Sequence, residues 1–170
     1  MNDAQAELVL HPGEWYFGTG YRRLRTLLGS CVAITVWHPV LRCGGMCHFL
    51  LPRPPTNVND SRPDARYGTH ALHFLRSAME NRAPLLDYQF GCFGGSDMFL
   101  DQARTRVGQS NIELVQQWLH RYQIEPVSES LGGNNSRTVI LELNSGRIEL
   151  KQLTKQSEAG ASPDDQRARR

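Results

Sequence analysis

The sequence predicts a single α+β domain, built of mainly antiparallel sheets with two principal helices packed alongside. Three observations predict it. Apolar and β-branched runs bounded by Gly or Pro recur between Glu7 and Leu51, and again from Leu86 and from Thr138, as expected of short strands joined by turns. Two other segments, one from Ala65 and one around Ile112, repeat their apolar residues at helical spacing. The chain has 170 residues, enough for one core and too few for two ordinary domains.

In chain order, Glu7 to Leu10 and Glu14 to Phe17 read as two strands around a Pro12-Gly13 turn, at a sheet edge. The cluster Arg22-Arg23-Leu24-Arg25 reads as a solvated loop. Thr26 to Cys31 then leads into Val32 to Trp37, a β-branched run, with Cys31 at its entrance. Pro39 stops this strand, and Gly44 to Pro52 forms a second, giving an antiparallel hairpin. The proline-rich stretch Pro52 to Pro63 is a loop. From Ala65, the positions Tyr67, Ala71, Phe74, Leu75, Ala78 and Met79 form one face of a helix. Leu86 to Phe93 is another strand, ending at Gly94-Gly95. Ile112, Val115, Leu119 and Tyr122 mark the second helix, with Ser110 or Asn111 as its cap. Thr138 to Leu143 and Arg147 to Leu150 form a terminal hairpin around Asn144-Ser145-Gly146. The domain is expected to span residues 1–153, and the polar tail 154–170 to be disordered. Trp15, Trp37 and Trp118 are expected in the core, while His38, His70, His73 and His120 are assigned no role.

Composition excludes little but excludes it clearly. Charged residues make up 21% and the net charge is +2, so neither nucleic acid nor an acidic polymer is called for as partner. No run reaches the roughly 20 apolar residues of a membrane span, and Met1 to Leu8 lacks the order of a signal peptide. No membrane insertion and a cytoplasmic location are the resulting expectations. In a reducing compartment Cys31, Cys43, Cys47 and Cys92 stay thiols.

If the hairpin is centred between Pro39 and Val40, Cys31 lies directly opposite His48, about 5 Å away between Cβ atoms. A thiol and an imidazole so placed can form a thiolate–imidazolium pair, the activated state of a nucleophile. Gly29-Ser30 allows a sharp approach to Cys31 that leaves backbone N–H groups free for an oxyanion. Cys47, next to His48, points to the other face of the strand and is read as structural. Two other readings stand beside this one: a zinc site formed by Cys43, Cys47 and His48, and a non-catalytic adaptor.

The string Thr26-Leu27-Leu28-Gly29-Ser30-Cys31-Val32-Ala33, followed by Gly45-Met46-Cys47-His48-Phe49-Leu50-Leu51-Pro52, closely resembles the signature of the CheD family, chemoreceptor glutamine deamidases of bacterial chemotaxis. The resemblance runs over roughly Glu7 to Leu153. It includes Phe93-Gly94-Gly95-Ser96-Asp97-Met98-Phe99, a candidate loop for substrate or partner, and Gly132-Gly133-Asn134 with Arg137. It departs at Val107-Gly108-Gln109-Ser110-Asn111, where relatives tend to carry an arginine in place of Ser110. What the resemblance implies is a Cys31 nucleophile, a His48 base and Thr26 as the third catalytic group. It also implies a fold similar to bacterial toxin deamidases and, loosely, to papain-like thiol hydrolases. The implied substrate is a glutamine on the cytoplasmic helices of chemoreceptors, the implied partner in some species a CheC-type phosphatase, and no metal or organic cofactor is required.

Overall fold

The structure, a computed structural model, describes residues 5–57, 62–97 and 102–153. Met98, Phe99 and the tail 154–170 lie outside them. The described chain forms β1 (Gln5–Leu10), β2 (Trp15–Gly18), β3 (Tyr21–Leu28), β4 (Val32–Trp37), β5 (Gly44–Phe49), α1 (Gly68–Glu80), β6 (Gln89–Gly94), α2 (Gln102–Arg121), β7 (Ser128–Leu131), β8 (Ser136–Glu142) and β9 (Ile148–Leu153). The α+β class holds, with two sheets in the orders β1-β3-β8-β9 and β2-β5-β4-β6-β7. The pairings β1 with β3 and β6 with β7 are parallel, and the others are antiparallel.

Three layers result. One face of the five-stranded sheet packs against the helices, through Ile34, Val36, Cys47, Phe49 and Phe90 against Leu72, Leu75, Met79, Val115 and Leu119. Its other face packs against the four-stranded sheet, through Ala33, Met46 and Phe93 against Leu24, Leu28, Val139 and Leu141. β4 is therefore covered on both sides, which is why Val-Ala-Ile-Thr-Val-Trp carries no apolar/polar alternation. No described helix is long and apolar enough to cross a membrane.

Several expectations are corrected. The two strands around Pro12-Gly13 are each at an edge, but of different sheets, so the turn bridges the two layers. Arg22 to Arg25 lies within β3 and is not a loop. Leu24 and Thr26 point inward there, while Arg23 and Arg25 reach Glu7 on the outer face at 3.7 and 3.0 Å. β7, with the sequence Ser-Glu-Ser-Leu, is a strand that no apolar pattern announced. α2 begins at Gln102, well before Ser110 and Asn111, and Gly108 sits inside it because a side chain there would meet the carbonyl oxygens of Gly95 and Ser96 at 2.7 and 2.8 Å. Trp15 is partly exposed and stacks on Phe74, with ring centroids 5.7 Å apart. Trp37 is a core residue as expected, its Nε1–H donating to the Leu143 carbonyl at 2.8 Å.

The terminal hairpin turns at Gly146, whose φ is +73°, and a Cβ there would lie 2.2 Å from the Trp37 ring. Gly146→Ala combines a left-handed backbone with a clash against a buried ring, and should cost about 2–4 kcal/mol. Urea unfolding measures this, and an unshifted midpoint would show that the turn relaxes freely.

Candidate active site

The hairpin of β4 and β5 forms, but about a different centre. His38 N–H donates to the Cys43 carbonyl at 2.8 Å, and the loop is held by His38 Nδ1 accepting from the N–H groups of Val40 and Leu41 at 3.2 and 3.0 Å. Arg42 takes a φ of +52° to close it. Val32 consequently pairs with Phe49 and Ala33 with His48, so Ala33, and not Cys31, is opposite the histidine. A displacement of two positions preserves the face. His48 therefore still looks into the layer between the sheets, and Cys31, two residues before Ala33, packs against the core of that same layer.

His48 meets the other sheet at Thr26. Thr26 Oγ1 lies 2.7 Å from His48 Nδ1 and 2.8 Å from the Leu10 carbonyl oxygen. A carbonyl can only accept, so the single hydroxyl proton goes to Leu10, and the hydroxyl must accept from Nδ1–H. That assignment leaves the Nε2 lone pair unprotonated. Nε2 is buried without a partner among the described residues. Burial takes the imidazole down to about 4, which Glu14 partly opposes, so His48 is neutral at pH 7. The strand position of His48 is fixed by two backbone bonds, from Gly13 N–H to its carbonyl and from its own N–H to Glu14, at 2.8 and 3.1 Å.

The nucleophile candidate sits on a loop tied down at three consecutive carbonyls. Gly29 O accepts from Ser96 N–H at 3.0 Å, Ser30 O from Asn111 Nδ2 at 3.1 Å and Cys31 O from Gly95 N–H at 2.9 Å. No backbone carbonyl among the described residues accepts from the N–H groups of Ser30 or Cys31. Burial raises the Cys31 thiol above its ordinary value, opposed by its own backbone N–H. With the imidazole lowered and the thiol raised, the resting pair is a neutral thiol and a neutral imidazole. Both directions run against a pre-formed thiolate–imidazolium pair, because desolvation disfavours both charges.

Asn111 is not a helix cap but a fully buried residue inside α2. Its Nδ2 donates to Ser30 O and, at 2.9 Å, to Leu50 O, joining the Cys31 loop to the end of the strand that carries His48. A polar residue one turn before the buried Leu114 and Val115 was the available signal. Arg137 is buried too, and it is the hub behind the Gly-Gly stretches: its guanidinium donates to Ser130 Oγ at 2.9 Å, Ser96 Oγ at 2.5 Å, Gly94 O at 3.5 Å, and also to Gly132 O. Gly94 takes a φ of +110°, and a Cβ on it would lie 2.1 Å from the Cys31 carbonyl oxygen. Phe93 is fully buried between the sheets, so this stretch backs the Cys31 loop and Phe93 presents no surface to a partner. Cys47 lies in the helix-side core, its thiol pushed up to about 12 by burial. It faces away from His48, which separates two of the three ligands that the zinc reading needs.

Two predictions follow from this geometry. His48 stays neutral when folded but gains a proton near pH 6.5 when unfolded, so its contribution is full above pH 6.5 and is lost as pH falls towards 4. Relative to His48→Gln, the wild type should lose stability on the order of 3 kcal/mol over that window; equal pH dependence in both would sink the assignment. Asn111→Ala leaves two part-buried carbonyls without their donor and should cost about 2 kcal/mol in chemical denaturation.

Residues 50–152 match the sequence profile of the family described as CheD chemotactic sensory transduction. Among similar proteins, the probable chemoreceptor glutamine deamidase CheD 1 of Chromobacterium violaceum is 39% identical over 149 residues, covering 85% of this chain and 77% of its own. The probable chemoreceptor glutamine deamidase CheD of Pseudomonas syringae pv. tomato is 41% identical, over 85% of this chain and 88% of its own. CheD 1 of Leptospira interrogans, with the same description, is 37% identical over 86% and 92%. The profile match begins just after His48, but alignments covering this much of the chain leave too few residues outside them to exclude Cys31 and His48.

Proposed function

This chain belongs to the CheD family, and from that premise we propose that it is a cytoplasmic deamidase of chemoreceptors, converting glutamine side chains on their cytoplasmic helices to glutamate. The observation that carries the reading is the Thr26–His48 hydrogen bond, which fixes an imidazole tautomer with its basic nitrogen free in the layer that also holds Cys31. A CheC-type phosphatase is a further partner in this proposal.

In this reading Cys31 Sγ attacks the carboxamide carbon while His48 Nε2 takes the thiol proton, so charge appears only as the new bond forms. The oxyanion is met by the backbone N–H groups at Ser30 and Cys31, which have no backbone acceptor among the described residues to give up. His48 returns the proton to the departing nitrogen, and ammonia leaves. Water, giving a proton to His48, then adds to the thioester, and the collapse releases glutamate and the Cys31 thiol. Thr26 holds the ring in the productive tautomer, and the Glu14 carboxylate favours the transient imidazolium.

The test is incubation with receptor cytoplasmic fragments, reading ammonia and a gain of about one mass unit per modified glutamine. Cys31→Ala should abolish both, and Thr26→Val should lower kcat on the order of 100-fold with little change in KM. Full activity in Cys31→Ala would overturn the proposal. The neutral resting pair has its own signature. Inactivation by iodoacetamide should keep accelerating from pH 7 to above pH 9, following the raised thiol. A plateau reached below pH 7 would instead reveal a pre-formed ion pair.

A further inference from the structure

On the helix-covered side of the five-stranded sheet, away from the layer that holds Cys31 and His48, α1 and α2 leave between them a cleft of about 300 Å³. Three arginines line it: Arg53, Arg76 and Arg121. Among the described residues no acidic one lines it; the nearby Glu80 is paired to Arg76 Nε at 3.1 Å. Arg76 is further fixed by a hydrogen bond to Tyr122 Oη and by lying 4.7 Å from the centre of that ring. Arg53 reaches the neutral Gln117, at 3.5 Å, and Arg121 lies over the Tyr122 ring at 5.7 Å. Among the described residues neither has a carboxylate partner. Thr69, on the first turn of α1, also lines the cleft, and its buried hydroxyl has no hydrogen-bond partner among the described residues.

Concentrating guanidinium groups in a concavity where one carboxylate pairs only one of them raises the local anion concentration, because the protein walls focus the field. The donors come from three separate walls: the loop before α1, α1 itself and the end of α2. A planar carboxylate is matched by one guanidinium fork, whereas a tetrahedral dianion has oxygens for several donors at once. Trp118 and Tyr122 add an aromatic side to the cleft, fit to take a flat apolar group attached to that anion. We propose that this cleft is a binding site for a phosphate monoester, separate from the deamidation site.

The experiment is calorimetric titration of the full chain with phenyl phosphate and with inorganic phosphate, at ionic strength held constant with sodium chloride. The phenyl arm reads the aromatic wall and the inorganic arm the anion alone. Saturable binding at one site is expected, tighter for phenyl phosphate, with the thermal midpoint rising as ligand is added. In the double variant Arg53→Gln, Arg121→Gln the affinity should fall at least about 10-fold while the ligand-free unfolding midpoint stays put. The proposal is overturned by the absence of saturable binding up to about 10 mM, or by equal affinity in wild type and double variant. Separateness has its own readout: the double variant should deamidate receptor fragments at the wild-type rate, and a fall in that rate would overturn it.

Discussion

The hydrogen bond between Thr26 and His48 is the point on which the architecture turns. Here the four-stranded sheet reaches across to the five-stranded one with a polar contact, amid the apolar side chains of Leu24, Leu28, Met46, Phe93 and Val139. A buried polar pair is tolerable only if its members satisfy one another, and here the Leu10 carbonyl completes the chain by taking the threonine proton. Three elements from two sheets thus decide where one imidazole proton resides. The low dielectric that makes the bond strong also keeps both the histidine and the cysteine uncharged at rest.

The loop carrying Cys31 is rigid for a different reason. Its three carbonyls are engaged by two backbone N–H groups from the Gly94-to-Ser96 turn and by a side chain from α2, and that turn is itself gripped by Arg137. A guanidinium with no carboxylate partner among the described residues is costly to bury, and here its charge is spread over backbone and hydroxyl oxygens on β7 and the glycine turns. The cationic hub therefore holds the site together without placing a carboxylate next to the cysteine, where a negative charge would oppose a developing thiolate.

How much of this was legible in the sequence depended on how local each cause was. The β4 and β5 strands and the terminal hairpin were readable because Val-Ala-Ile-Thr-Val and Asn-Ser-Gly act within a few residues. The register was not, because its centre is set by the His38 side chain bonding to Val40 and Leu41 and by the φ of Arg42. β7 escaped because Ser-Glu-Ser-Leu owes its form to pairing with β6, and the start of α2 escaped because Gly108 looks like a boundary until a neighbouring loop is seen pressed against it. Thr26, Cys31 and His48 could be picked out by their string. The places of Asn111 and Arg137 rest on bonds to residues 81 and 41 positions away in the chain, which no local pattern encodes.

The turn from His11 to Glu14 has an evolutionary consequence. Surface loops are ordinarily where insertions accumulate, since lengthening them costs little. This one joins edge strands of two different sheets, and its Gly13 and Glu14 backbones hold the peptide of His48 from either side. A longer turn would free the two layers to slide and would release the histidine in the same step. The segment is therefore a place where chain length itself is under constraint, while the β4–β5 tip, with Val40 and Leu41 exposed at the far end of the hairpin, leaves lineages room to diverge.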